Sequence, residues 1–437
     1  MFHQLKVGKP TTSESIRHAV SEADESRAIA LKQSTGHPTA LCAPIHVPGN
    51  NTTQLQQALV SRLQNPFDCR YDPTYRFGAF LLWVPRRLGY NHALDTATSA
   101  LLARHSEAAL RQDQTVMHAP FVTAYNLALS AMRATLDDPA SAATPETLCA
   151  ISILSLCQVS VVEKMQPAAA KITSQARFDD QFTFFWSPHA SGIAQVLRML
   201  DFPVGSNLFE KCLFAPLHAT LLLQSFANPS IRLKASEYGK LLNAVDPTEA
   251  AEFDFLHWQI SVKVSQLMAR GRDAIRSGVS LVSHGIQAER LEASLEPVLV
   301  SMQARCRNLE SVKNDGALGQ RKHAVYQRAY GVALANSAIL QTAQRTLCPD
   351  KQDRQARAMA LCFEVIKVVG EASVYRPLGA IWTVHTLLCT WCAAPDSMLK
   401  AKIEAALLDY QRDALGPKAR VEVDKLKLLE RRLCLVG

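Results

Sequence analysis

Trp186, His189 and Gly192 stand at intervals of three in "FFWSPHASGIAQVLRML" (184–200), just ahead of an apolar run. An imidazole so placed could serve as a metal ligand, as a catalytic base, or as a polar contact in a structural signature. No carboxylate, thiol or second histidine lies within helical reach of it, so the structural reading is preferred. Slightly upstream, "FDDQF" (178–182) pairs Asp179 with Asp180, and paired carboxylates on a helix could hold magnesium against a diphosphate. That chemistry needs a second motif, an Asn or Asp followed by a hydroxyl and a Glu at helical intervals. Near Asn314, "NDGALGQRK" offers Leu318 and Lys322 at those places instead, so the two aspartates read as a solvated pair. "CTWC" (Cys389 to Cys392) is the one C-x-x-C in the chain. A redox pair wants a strand leading into a helix end, whereas these thiols sit inside "GAIWTVHTLLCTWC" and read as core.

Other chemistries leave no trace. There is no G-x-x-x-x-G-K-[ST] phosphate loop, no H-E-x-x-H zinc pattern and no G-x-S-x-G nucleophile elbow. The thirteen histidines do not pair with each other or with cysteines at metal-ligand spacing. No cofactor and no metal is therefore expected, and no catalytic residue is assigned.

The elements that must position these residues follow from composition. Of 437 residues, 48% are hydrophobic and 20% charged, an ordinary globular balance that affords a large core. The net charge of +8 is spread along the chain, without the block of about five or more like charges that marks a nucleic-acid arm. No stretch reaches the roughly 18 apolar residues of a membrane span, and the start lacks a secretory pattern. The expectation is an intracellular protein with no membrane contact, in which the sequons at Asn50 and Asn51 are idle. Eleven cysteines scattered from Cys42 to Cys434, mostly in apolar runs, read as buried free thiols.

Residues 1–60 are rich in Ser, Thr, Pro and Gly and read as a weakly ordered lead-in, with one short helix begun at Thr11 to Glu14. Residues 61–437 read as a single all-α, multi-helix bundle. In "HAPFVTAYNLALSAMRATL", Phe121, Tyr125, Ala128 and Met132 fall at helical spacing. The next helix carries its own start signal, Thr144 as N-cap, Pro145 at the first position and Glu146 in the first turn. It is apolar almost all round, which predicts burial between other helices. Further helices are expected near 206–226, 250–276, 287–313, 322–347, 352–371, 377–393, 396–414 and 418–434, with Pro297 kinking or splitting the third of these. Alternating strands and short-period repeats are missing.

Taken in order, several segments resemble the fungal-specific transcription factor domain, the helical regulatory module that follows the six-cysteine zinc cluster of fungal regulators. The resemblance runs from about Tyr75 to the C-terminus. It rests on "FGAFLLWVPRRLGYNHALDTATSALLARH", "AYNLALSAMRATLDDP" with "TPETLCAISILSLCQV", and "WSPHASGIAQVLRML", which is similar to the family's W-x-x-H-x-x-G-x-x-x-L-L segment. "RAYGVALANSAILQTAQRTL", "RPLGAIWTVHTLLCTWCAAP" and "KIEAALLDYQRDALG" continue in the family's order. The resemblance implies a structural role for the triplet. Trp186 would supply a buried face, His189 a polar contact at a helix head, and Gly192 close approach of a neighbouring helix.

One departure matters most. A zinc cluster needs C-x2-C-x6-C twice within some forty residues, whereas Cys42 and Cys69 are the only cysteines before Cys149 and neither has such a neighbour. Direct sequence-specific DNA binding is not expected. The resemblance then implies a nuclear regulator that acts through other regulatory proteins or a small apolar ligand, in control of a secondary-metabolite pathway. The alternative is a cytoplasmic helical body repurposed as a cyclisation or rearrangement enzyme, or as a binding protein, for an apolar natural product. Phe182 to His189 and His257 to Trp258 are the places to look for that.

Overall fold

The structure, a computed structural model, describes residues 52–63, 79–110, 119–158, 188–199, 207–228, 231, 233, 237, 251–311, 316–349, 353–376, 379–415 and 419–435. Of these, 87% are helical and none lies in a strand, so the chain is all-α. The helices are α1 (Thr52–Leu63), α2 (His92–Leu110), α3 (Ala119–Asp137), α4 (Pro139–Ala142), α5 (Pro145–Gln158), α6 (Pro188–Met199), α7 (Leu208–Ala227), α8 (Ala251–Arg276), α9 (Val282–Glu310), α10 (Ala317–Leu347), α11 (Arg354–Ala372), α12 (Trp382–Ala393), α13 (Ser397–Leu415) and α14 (Val423–Leu433). No helix among the described residues is long and apolar enough to cross a membrane.

Helix starts follow local chemistry. Asn91 accepts the Leu94 N–H (3.0 Å) at the head of α2, and its amide donates to Thr147 Oγ1 (3.1 Å), which ties the starts of α2 and α5 together. Thr144 accepts the Thr147 N–H (3.2 Å), as its position before Pro145 predicts. Asn207 and Glu210 form a reciprocal cap on α7, at 3.0 Å to the backbone and 2.7 Å between side chains. These contacts satisfy donors that a helix end otherwise leaves bare.

Two apolar cores share the chain. The first gathers α1, α2, α3, α5, α6 and most of α7, with Leu148, Ile153, Leu154, Phe121 and Phe214 fully buried. α5 packs against α2, α3 and α6, which is why its sequence can be apolar on every side. Leu55, Leu59 and Leu63 of α1, a helix that spans residue 60, belong to this core. Residues 1–51, including the Thr11–Glu14 helix start, lie outside the described residues.

The second core is built around α10, whose residues 333–344 are all buried beneath α8, α9, α11, α12 and α14. Its hub is Gly331. A Cβ built there would stand 1.8 Å from Trp382 Cζ3, so only glycine lets the indole of α12 lie on the α10 backbone. Thr386, one turn on, donates to the Gly331 carbonyl (3.0 Å). α7 passes between the two cores, with Leu213, Leu217 and Leu221 in the first and Phe226 and Ala227 in the second. Arg272 of α8 fixes that passage by donating to the Phe226 (2.7 Å) and Ser225 (2.9 Å) carbonyls.

α14 closes the second core with Leu426, Leu429 and Leu433. Glu430 accepts from both Arg345 (2.8 Å) and Lys400 (2.9 Å), and Arg345 also donates to the Ala393 carbonyl (2.7 Å) at the end of α12.

α9 runs unbroken from Val282 to Glu310, so Pro297 does not split it. Pro297 lacks the N–H that would bond the Ala293 carbonyl, and both residues are exposed, so the lost bond lies on the solvent side of the helix. Leu291, Leu295, Val298 and Met302 anchor the helix on either side.

Candidate functional site

Trp186, Asp179 and Asp180 lie outside the described residues, as do the side chains of His189, His257 and Trp258. His189 is in the first turn of α6, as a helix-head position requires. No described atom lies within 4 Å of a Cβ built at Gly192, so it accommodates no close helix approach among the described residues.

Cys389 and Cys392 are buried core thiols, with burial pushing both well above the usual thiol range. Of the other described cysteines, Cys149, Cys157 and Cys362 are buried, whereas Cys212, Cys306, Cys348 and Cys434 are half-buried. No group of three or more His, Cys, Asp or Glu among the described residues is placed to hold a metal ion.

Two clefts remain. The larger, about 450 Å³, lies at the heads of α2 and α5 and is lined by Arg86, Arg87, Asn91 and Glu146 among others. Several of its polar groups hold the fold. Arg87 pairs with Glu146 and stacks on Phe209, and Asn91 caps α2.

The smaller cleft, about 270 Å³, opens where α9, α10 and α11 meet in the second core. Each helix contributes polar groups at the i, i+3/i+4, i+7 spacing of one face: Gln303, Cys306, Arg307 and Glu310 from α9; His323, Gln327 and Tyr330 from α10; Glu364, Lys367 and Glu371 from α11. None belongs to a recognisable motif. The one trace in sequence is a polar stripe interrupting helices whose remaining inward positions are apolar.

The interior of this cleft is highly ordered. Glu364 Oε1 accepts from the Tyr330 hydroxyl (2.9 Å) and from Gln303 Nε2 (2.8 Å), and its Oε2 takes no bond from any described residue. Burial, then the Glu364 charge, pushes the Tyr330 hydroxyl above its ordinary range, so it stays protonated and donates. Burial and the neighbouring Glu371, Glu310 and Glu364 push the Cys306 thiol up to about 12, so it is not a nucleophile near neutral pH. His323 is buried, with Nε2 3.0 Å from Glu310 Oε2 and Nδ1 2.6 Å from the Tyr375 hydroxyl. An ionised carboxylate only accepts, which assigns the Nε2 hydrogen to His323 and, in the neutral ring, lets Nδ1 accept from Tyr375.

Gln327 is the exception. It is 1% exposed, and neither its Oε1 nor its Nε2 has a hydrogen-bond partner. An unpaired buried polar group costs roughly 1 to 3 kcal/mol, so the position runs against stability. Gln224 of α7 shares this condition but lines neither cleft.

No family model, no curated protein and no solved structure matches this chain. Its chemistry must be read from its own residues.

Proposed function

We propose that the chain is a regulator-like helical protein that acts by binding rather than by catalysis or by reading DNA, and that its ligand site is the α9–α11 cleft. The observation that carries this is Gln327, a buried amide left without partners at the wall of a cleft in which Tyr330, Gln303 and Glu364, and His323 and Glu310, are paired with one another. A cost of this kind is expected where a ligand supplies the missing bonds. The resemblance to the fungal transcription factor domain supports a role in transcription, in the nucleus, in control of a secondary-metabolite pathway and exercised through partner proteins. A diffuse +8 charge supports weak, sequence-independent DNA contact at most. The polar cleft lining argues for a polar ligand in place of the apolar one that the resemblance suggested.

A second reading rests on the Tyr375–His323–Glu310 chain, which runs from a buried hydroxyl to a half-exposed carboxylate and has the parts of a proton relay. On that reading the protein is an enzyme of the rearrangement type. Deleting the gene and measuring transcripts and metabolites together separates the two. A regulator lowers the transcripts of its pathway. An enzyme leaves them normal and lets an intermediate accumulate.

A further inference from the structure

The cleft's own groups narrow the class of ligand, and this step deepens the proposal that the cleft is a ligand site. Its lining carries three carboxylates, Glu310, Glu364 and Glu371, against two cations, Arg307 and Lys367. Lys367 is 54% exposed and lies 3.9 Å from Glu371, so it sits at the rim and answers that carboxylate. Within the cleft, Glu364 is held by two donors on the same oxygen, Tyr330 and Gln303, which leaves Oε2 as a fixed, charged acceptor. Gln327 stands one helical turn before Tyr330 on α10, about 5 to 6 Å along the same face. Its amide lies without a partner just beneath the cleft wall, out of reach of bulk water, and meets a ligand once the side chain turns toward the cleft.

Arg307, whose charge also reaches Tyr330, offsets only one of the carboxylates and leaves them in excess, so an anion brought here would lose hydration opposite net negative charge, whereas a cation with N–H donors would find an acceptor already oriented. At about 270 Å³ the cleft lies at or below the lower edge of drug-sized pockets, so the ligand is small. We propose that the α9–α11 cleft binds a small organic cation bearing N–H donors, an amine or amidinium, with Glu364 Oε2 as its counter-charge and the Gln327 amide as its orienting contact.

The test uses the full chain and three isosteric probes, benzamidine, benzamide and benzoate, titrated by calorimetry and ligand-observed NMR. Benzamidine should bind saturably, benzamide about tenfold or more weaker, and benzoate not at all. Glu364→Gln keeps an acceptor for Tyr330 and Gln303 but removes the charge, and should weaken benzamidine by about tenfold or more. Gln327→Leu should also weaken it while leaving the melting temperature equal or higher, which separates lost binding from lost folding. Equal binding of benzamide or benzoate would overturn the cation assignment, as would wild-type affinity in Glu364→Gln. Wild-type affinity in Gln327→Leu would remove the amide from the site, and no saturable benzamidine binding at about 10 mM would sink the proposal altogether. None of these outcomes touches the transcript measurement, so failure of the ligand class and failure of the regulator reading remain distinct.

Discussion

Gly331 and Gly192 show what a single residue decides and where it can be seen. Gly192 stands out in sequence because it completes the spacing with Trp186 and His189, yet no described neighbour approaches it. Gly331 stands in "RAYGVALANS" with nothing to distinguish it, because its partner, Trp382, lies on another helix. Gly331→Ala should destabilise by about 1 to 3 kcal/mol or more, since the indole has no room to yield. Gly192→Ala should instead be neutral or stabilise by up to about 1 kcal/mol, through a helix interior freed of glycine. Thermal or denaturant melts of the pair check both, and equal losses would contradict the packing described. The thiols give a second check at this scale. Cys149, Cys389 and Cys392 are raised well above the usual thiol range, and Cys306 and Cys362 to about 12. At pH 8, mass mapping after treatment with an alkylating agent should find these five unmodified in the folded protein and modified after denaturation.

Helix caps were the most legible elements, because a cap is a local contest between a side-chain oxygen and a bare N–H. The Thr144–Pro145–Glu146 start of α5 is read correctly from three consecutive residues. The starts of α9 and α10 were expected near 287 and 322 and instead fall at Val282 and Ala317. Neither has a side-chain cap. α9 follows Leu281, and α10 follows Gly316 in a left-handed turn at φ 89°. α1 escaped notice because its three leucines make a short apolar stripe whose burial depends on α2. The polar stripes of α9, α10 and α11 were visible one by one, but their convergence depends on how the helices pack and no single-helix pattern contains it. α14 offers a prediction of its own. It is strongly amphipathic, and Leu429→Ala should cost about 2 to 5 kcal/mol, because Leu429 is fully buried where the helix closes the second core. A loss below about 0.5 kcal/mol would mean that α14 does not cap that core.

For the whole molecule, the all-α class followed from the lack of alternating strands, and the two cores that meet at α7 did not, since both are apolar and nothing in sequence labels a leucine with its core. A buried histidine links the second core to pH. Burial lowers His385 of α12 from 6.5 to about 3. Between those values the unfolded chain binds a proton that the folded protein excludes. Stability is therefore complete above about pH 6.5 and falls as pH drops, by up to about 1.4 kcal/mol per pH unit from this group. His385→Leu should flatten that part of the profile in denaturation series from pH 5 to 8. An unchanged slope would show that His385 is not buried neutral. The central claim is that the cleft between α9, α10 and α11 governs what the protein does in the cell. The most direct measurement returns Glu364→Gln, Gln327→Leu and His323→Phe separately to a strain lacking the gene and reads pathway transcripts alongside metabolites, with protein level and melting temperature as controls. The account predicts that the first two variants fold yet leave transcripts fixed in one state, with no intermediate accumulating. Normal transcripts in both, with an intermediate building up only in folded His323→Phe, would contradict it.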